Sequence, residues 1–312
     1  MVISFYSKSD NDKEVLDALR QHLADTDVAH TVEPWSDRTD PESVIYSVSW
    51  GAPDNFFDGM SNLRAAMSLG AGIDHLTNNP GLPANLPIVR LSDAGMGEKI
   101  AEYVLYAALQ GHRDFDLYQR QQQQKVWRPL ADRHAADYRV GIMGLGVIGT
   151  IIADRLQVNG YQVCGWKRTR VDCPYPLYVG DAELSAFLGE LDLLVAVLPL
   201  TEQTTGLIDK KVLSQLPAGA RFVNVGRGKQ VNESDLLQAL DSGQLTSAVL
   251  DVCETEPLPV TDPLWTHEAV TLTPHVAGPT QIDKSARQIA KSIQQMERGD
   301  QPAGLVDRAA GY

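Results

Sequence analysis

Six residues, Gly144-Leu145-Gly146-Val147-Ile148-Gly149, restrict what this chain can fold into more than any other feature. The bare G-x-G-x-x-G spacing is a weak signal, since glycine is common and many matches are ordinary turns. Its setting gives it weight. Arg139–Met143 precede it as a short apolar run, Val147–Val158 carry Ile148, Ile151, Ile152 and Leu156 at helical spacing, and Tyr161–Trp166 form a second apolar run. Strand, tight turn, helix, strand is a βαβ unit. In that context the glycines let the backbone turn sharply and approach a pyrophosphate, while the helix N-terminus faces the negative charge. The competing reading is a glycine turn in an unrelated α/β domain.

The end of the second strand bears on which dinucleotide is taken. An NAD site usually carries an acidic residue there, about 20 residues into the unit, to bind the ribose hydroxyls. This chain reads Trp166-Lys167-Arg168-Thr169-Arg170, with no carboxylate before Asp172. Guanidinium groups bind phosphate oxygens with paired hydrogen bonds, so the turn suits a ribose 2′-phosphate. The expectation is NADPH as preferred cofactor with NADH possible, Arg168 and Arg170 as main contacts and Lys167 and Thr169 beside them. A basic, solvated surface turn is the alternative.

With 312 residues the chain has room for two domains. Its 43% hydrophobic content supports packed cores, and no segment approaches the ~20 apolar residues of a membrane span. The opening Met-Val-Ile-Ser-Phe-Tyr reads as a first strand rather than a signal peptide. Cys164, Cys173 and Cys253 are odd in number and lack metal-ligand spacing, which points to a reducing, cytoplasmic setting and no metal site. A formal charge of -13 argues against nucleic acid as a partner.

Periodicity predicts strands over 2–6, 43–50 and 63–68 and a helix over 11–24, with a short helix opening between Asp54 and Met60. A long helical stretch starts near Glu98, and the polar tract 119–125 is helix-compatible. Further strands are expected at 139–143, 161–166, 192–198, 221–225, 247–251 and 270–272, and a last helix at about 281–298. The fold class is α/β, two Rossmann-like doubly wound parallel-sheet domains with an interdomain cleft. Residues 1–98 with 285–312 form the expected substrate-binding (catalytic) domain and 99–284 the dinucleotide-binding domain.

Downstream of the fingerprint stand Arg227, Glu256 and His275. Hydride transfer to a small keto acid needs these types beside a nicotinamide: a fork for carboxylate or carbonyl, a proton donor, and a carboxylate to tune that donor. Singly each has an ordinary reading, as a structural ion pair, a turn residue before Pro257, or a capped strand end.

In order along the chain run Leu69-Gly-Ala-Gly-Ile-Asp74, the fingerprint, Leu198-Pro-Leu-Thr-Glu-Gln-Thr-Thr-Gly-Leu-Ile208, Asn224-Val-Gly-Arg-Gly228, Asp251-Val-Cys-Glu-Thr-Glu-Pro257 and Pro274-His-Val-Ala-Gly278. This series resembles the D-2-hydroxyacid dehydrogenase family over essentially the whole chain. Gly95-Met-Gly-Glu98, the basic turn and the ending Asp307-Arg-Ala-Ala-Gly-Tyr312 resemble its bacterial glyoxylate/hydroxypyruvate reductase A branch. The resemblance implies an oxidoreductase reducing glyoxylate to glycolate or hydroxypyruvate to D-glycerate. It implies His275 as general acid, a role histidine suits because it titrates near working pH. Glu256 would hold the other ring nitrogen and stabilise the cation. Arg227 would grip the substrate carboxylate and keto oxygen. Gly70, Ala71 and Gly72 would bind the carboxylate through backbone amides. Leu198 and Pro199 would lie on the cofactor side, and Asp251 would contact the nicotinamide carboxamide. The long helix after Glu98 resembles a dimerisation arm, implying a homodimer.

Trp50 ends an apolar strand, where walling the substrate pocket and core packing compete; Met96 carries the same ambiguity. His75, His112, His134 and His267 form no pattern with a function. Two other functions stay open: a dehydrogenase for another D-2-hydroxy acid, of the D-lactate or phosphoglycerate type, and a non-catalytic dinucleotide-sensing binding protein.

Overall fold

The computed structural model describes residues 1–8, 11–35, 40–308 and 311. Of the terminal run that suggests the narrower branch, Ala309, Ala310 and Tyr312 lie outside the described residues. The chain divides into two compact units, Met1–Gly95 with Thr280–Tyr312, and Met96–Pro279.

The first unit is built on strands β1 (Val2–Ser7), β2 (Thr31–Pro34), β3 (Val44–Trp50), β4 (Ala65–Ser68) and β5 (Ile88–Val89). They form one sheet in the order β2-β1-β3-β4-β5, and every pairing is parallel. Helix α1 (Asp12–Ala24) buries Val15, Leu16, Leu19 and Leu23, spaced for one face. Each such side chain contributes roughly 1.5–3 kcal/mol through burial. A four-residue helix, α2 (Asp74–Thr77), follows the loop after β4.

The helix expected between Asp54 and Met60 does not form. The segment closes three i→i+3 turns instead, at Phe56, Asp58 and Met60, and Gly59 takes a left-handed φ of 76° that ends any regular helix. The turns bury Phe56, Phe57 and Met60, so apolar spacing that resembles a helix is satisfied by successive turns. Strands β2 and β5 were not anticipated; at four and two residues they are too short for a periodicity signal.

In the second unit α3 (Met96–His112) buries Ile100, Ala101, Val104, Ala107 and Ala108 and is followed by α4 (Phe115–Gln123). The sheet comprises β6 (Arg139–Met143), β7 (Gln162–Lys167), β8 (Leu177–Val179), β9 (Leu193–Ala196), β10 (Ala220–Asn224), β11 (Leu245–Leu250) and β12 (Val270–Leu272). Helix α5 (Val147–Val158) links β6 to β7 and packs on α3; α6 (Gly180–Leu188), α7 (Lys210–Leu213) and α8 (Glu233–Asp241) come between later strands. The strand order is β12-β11-β10-β9-β6-β7-β8, parallel throughout. All five residues of β10 and all four of β9 are buried, as expected of central parallel strands covered on both faces. The order reverses between β6 and β9, which opens a crevice at their carboxyl ends.

The last helix, α9 (Ile282–Glu297), returns to the first unit and packs on α1 through a stripe containing Ala286, Ile289, Ala290 and Ile293. Among the described residues no helix is long and apolar enough to cross a membrane. None of the described His, Cys, Asp or Glu residues gather in a group of three or more that could hold a metal ion.

Candidate active site

In the second unit the polar candidates all follow the carboxyl ends of parallel strands. The fingerprint follows β6, the basic turn β7, Leu198 and Pro199 β9, Arg227 β10, Asp251 β11 and His275 β12. That edge is where open α/β sheets bind ligands.

His275 and Glu256 form the centre of the site. The imidazole Nδ1 lies 2.8 Å from Glu256 Oε2, and Glu256 Oε1 accepts the Cys253 amide at 3.1 Å. Partial burial pushes the Glu256 carboxyl up, but the hydrogen bonds from His275 and the Cys253 amide, with the charges of His275 and Arg227, hold it below the usual carboxylate range. An ionised Glu256 fixes Nδ1 as the protonated nitrogen and leaves Nε2 for chemistry. The ring remains 41% exposed.

The backbone at His275 is strained, with φ of 55° in a region that costs about 1–3 kcal/mol for a non-glycine residue. Asp251 stabilises it. The Asp251 carbonyl accepts the His275 amide at 2.8 Å, while its carboxylate accepts Thr273 Oγ1 at 2.6 Å and the amides of Val276 and Ala277 at 2.8 and 2.9 Å. Asp251 is buried, and these partners all belong to the loop that presents His275. Tyr103, within 2.6 Å of Thr273 Oγ1, extends the network. Burial pushes its hydroxyl up to about 12, with the Asp251 charge adding to this and the Thr273 contact opposing it. Neither Tyr103 nor Thr273 was visible as a site residue in the sequence, because each acts through a neighbour far along the chain.

Arg227 is half-buried, and its backbone is held on both sides. Its amide donates to Gln230 Oε1 at 3.1 Å and its carbonyl accepts Asn224 Nδ2 at 3.1 Å, while its Nη1 donates to the Gly226 carbonyl at 2.9 Å.

The fingerprint has the geometry that a pyrophosphate needs. Gly144 adopts a φ of 113°, its amide bonded to the Trp166 carbonyl at 2.9 Å. A Cβ on Gly149 would collide with the Gly144 carbonyl, so only glycine lets α5 lie this close to β6. A Cβ on Gly146, in contrast, would meet nothing within 4 Å. Gly146 and Val147 are exposed and Ile148 partly so, whereas Leu145 is core. The first turn of α5 carries no acidic residue and no side-chain cap, which leaves its positive end for an anion. A dinucleotide fits these residues.

In the basic turn, Arg168 Nη1 donates to Gln203 Oε1 at 2.7 Å and Arg170 Nη2 pairs with Glu183 at 3.3 Å. Arg168, Thr169 and Arg170 are exposed and Lys167 is half-buried. The Arg170 pair, 65% and 42% exposed, is a surface pair worth ~0–1 kcal/mol, easily given up for a phosphate.

In the first unit the loop after β4 is shaped from below. The Gly70 amide donates to Ser68 Oγ at 3.1 Å, and Ser68 Oγ donates to the Gly72 carbonyl at 2.9 Å. The Gly70 amide is thus committed inside the loop. Among the described residues no hydrogen bond engages the amides of Ala71 or Gly72. Trp50 is half-buried rather than core: its ring lies where a Gly70 Cβ would fall, 2.5 Å from Cζ3, and it meets the His75 ring edge-on at 4.4 Å. His75 Nε2 lies 3.3 Å from Ser68 Oγ. Only the fold reveals this histidine's place beneath the loop.

Residues 105–277 match the family model described as D-isomer specific 2-hydroxyacid dehydrogenase, NAD binding domain. Among solved structures, a D-isomer specific 2-hydroxyacid dehydrogenase from Xanthobacter autotrophicus Py2 in complex with NADPH and MES is 36% identical, with 99% of each chain covered and a TM-score of 0.91. The NADPH-dependent glyoxylate/hydroxypyruvate reductase of Sinorhizobium meliloti, in complex with NADP and sulfate, is 33% identical over 100% of this chain and 99% of that one, with a TM-score of 0.89. A probable 2-hydroxyacid dehydrogenase from Rhizobium etli CFN 42, in complex with NADP, HEPES and L(+)-tartaric acid, is also 33% identical over the same shares, with a TM-score of 0.88. Similarity of this extent, end to end and over both sheets, makes the chain a member of the D-isomer specific 2-hydroxyacid dehydrogenase family.

Proposed function

We propose that this protein reduces small 2-oxo acids with NADPH, taking glyoxylate to glycolate and hydroxypyruvate to D-glycerate. The observation that carries this is the His275–Glu256 pair at 2.8 Å, which leaves Nε2 of a carboxylate-backed imidazole exposed at the ligand-binding edge. The named activity of the S. meliloti neighbour and the dinucleotides bound to the three neighbours support the substrate class and the cofactor.

When bound, NADPH supplies the hydride. His275 gives the proton from Nε2 to the carbonyl oxygen, and Glu256 stabilises the cationic ring before that transfer and orients it throughout. Arg227 neutralises the substrate carboxylate and the charge developing on the keto oxygen. Ala71 and Gly72 supply amides for the carboxylate, with Trp50 beside them. The turn at Gly144–Gly149 and the start of α5 hold the pyrophosphate, Leu198, Pro199 and Asp251 lie toward the nicotinamide, and Lys167–Arg170 take the 2′-phosphate.

We also propose a homodimer formed through α3, α4 and the segment after them. These elements expose the large apolar side chains Tyr106, Leu109, Phe115, Val126 and Trp127, which a second subunit would cover. Free Cys164, Cys173 and Cys253 support a cytoplasmic setting.

The test is oxidation of NADPH and NADH by the purified protein with glyoxylate, hydroxypyruvate and pyruvate in parallel. Fast NADPH consumption with the first two and little with pyruvate is the expected result. Turnover confined to NADH overturns the cofactor reading. No turnover with any pair overturns the enzyme reading in favour of a dinucleotide-sensing protein.

A further inference from the structure

One side chain joins two of these elements and has no chemistry of its own. Gln230 ends the single 3-10 turn that follows Arg227 and is completely buried, at 0% exposure. Its Nε2 donates to the carbonyl oxygens of Leu198 at 2.8 Å and Pro199 at 2.9 Å, and its Oε1 accepts the Arg227 amide at 3.1 Å. Both amide hydrogens and the oxygen are therefore used. The neighbours also fix the orientation, since a flipped amide would set its oxygen against two carbonyls and its NH2 against an N–H. The backbone repeats the tie: the Gln230 amide donates to the Arg227 carbonyl at 3.2 Å, and its carbonyl accepts the Ile208 amide at 2.9 Å. Glycine at 226 leaves room for this arrangement, since a Cβ there would lie 2.6 Å from Gln230 Oε1 and displace it.

Leu198–Pro199 and Arg227 follow β9 and β10, which are adjacent parallel strands. Loops after neighbouring strands share no covalent constraint, and a misplacement of about 1 Å in a reacting group can cost ~10²-fold in rate. We infer that Gln230 is a positioning residue that locks Arg227 in register with the Leu198–Pro199 loop. This rests on the roles proposed above for Arg227 and for that loop. Neither methionine nor glutamate reproduces the tie. Methionine matches the shape but neither donates nor accepts usefully, and glutamate keeps the acceptor yet repels the two carbonyls once ionised.

The test compares wild type with Gln230→Met and Gln230→Glu in steady-state kinetics, in NADPH affinity by fluorescence titration, and in melting temperature. For Gln230→Met, kcat/KM for glyoxylate should fall by ~10–10²-fold, with KM raised for both glyoxylate and NADPH. In Gln230→Glu a neutral carboxyl can still donate one O–H to a carbonyl and an ionised one cannot. Its activity relative to wild type should therefore decline as pH rises between about 5 and 9, the range reached by buried carboxyls. A change in stability alone would not give that profile in the folded protein.

Gln230→Met within twofold of wild type in kcat/KM and NADPH affinity overturns the proposal, as does a Gln230→Glu ratio that is flat with pH. If wild type turns over no 2-oxo acid, the proposed function fails separately. NADPH affinity then decides this point, with weaker binding in Gln230→Met supporting the lock and unchanged binding refuting it.

Discussion

Nδ1 of His275 and Oε2 of Glu256 sit 2.8 Å apart although 19 residues separate them in the chain, and the histidine backbone is held left-handed to bring them together. The site therefore stores strain at its proposed acid and offsets it with the Asp251 bonds to the same loop. Replacing His275 with Asn should lower kcat by ~10²–10⁴-fold, the usual worth of a positioned proton donor. NADPH affinity by fluorescence titration should change little. Near-normal turnover in that variant would remove His275 from the proton-donor role.

Glu256 links the same pair to pH. Its carboxyl is held below the usual range by the His275 and Cys253 hydrogen bonds against the opposing effect of burial. A group with a depressed native pKa contributes stability above its unfolded value of about 4.3, and that contribution is lost as pH falls through the native value. Glu256→Gln should thus melt below wild type at neutral pH, and the gap should narrow as the acid range is entered. Melting curves at a series of pH values measure it; a gap that widens on acidification contradicts the assignment.

The basic turn makes a third prediction. Arg168 and Arg170 are exposed, Arg168 donating to Gln203 and Arg170 to Glu183 at the surface, so replacing both with Ser should leave folding nearly unchanged. Each charge-assisted bond to phosphate is worth about 1.5–3 kcal/mol. Losing two should cut the NADPH-over-NADH preference by at least ~10²-fold in kcat/KM. An unchanged ratio of the two cofactors would show that the 2′-phosphate is recognised elsewhere.

What the sequence revealed follows from where each signal is written. The fingerprint was legible because Gly144 and Gly149 answer local demands, a positive φ and a close helix–strand approach, and both lie within one βαβ unit. Arg227, Glu256 and His275 stood out as candidates because their residue types suit the chemistry and they fall in the order of the motif series, and the fold adds the 2.8 Å pairing of the last two. Gln230, Ser68 and Tyr103 were not, because their roles depend on partners such as Leu198, Gly72 and Thr273, which only the tertiary fold brings near. Trp50 was ambiguous because a strand-end tryptophan has the same pattern in a core and in a wall, and its packing on Gly70 and His75 appears only in the fold. The Asp54–Met60 segment misled for the converse reason: its buried Phe56, Phe57 and Met60 mimic helical spacing through turns.

At the other end of β10 a buried charge cluster carries stability rather than chemistry. Arg221 Nε donates to Asp116 Oδ2 at 2.9 Å and its Nη2 to Asp114 Oδ1 at 2.6 Å, while Ser247 Oγ donates to Asp116 Oδ2 at 2.6 Å. The Arg221 and Asp116 side chains are only 10% and 5% exposed, so neither charge can be rehydrated in place. Removing one partner of such a pair typically costs ~3–5 kcal/mol, because the other stays buried and uncompensated. Arg221→Met should show that loss in urea unfolding, with a lower midpoint and little change in slope. Adding Asp116→Asn should recover much of it, since a neutral amide oxygen can still accept the Ser247 hydroxyl. Both variants should keep wild-type KM for glyoxylate in the folded fraction, because Arg221 lies at the start of β10, at the opposite end from Asn224 and the Arg227 turn that follows it. A single variant as stable as wild type, or a double variant no better than the single, would mean that the cluster is hydrated in solution and not a buried pair.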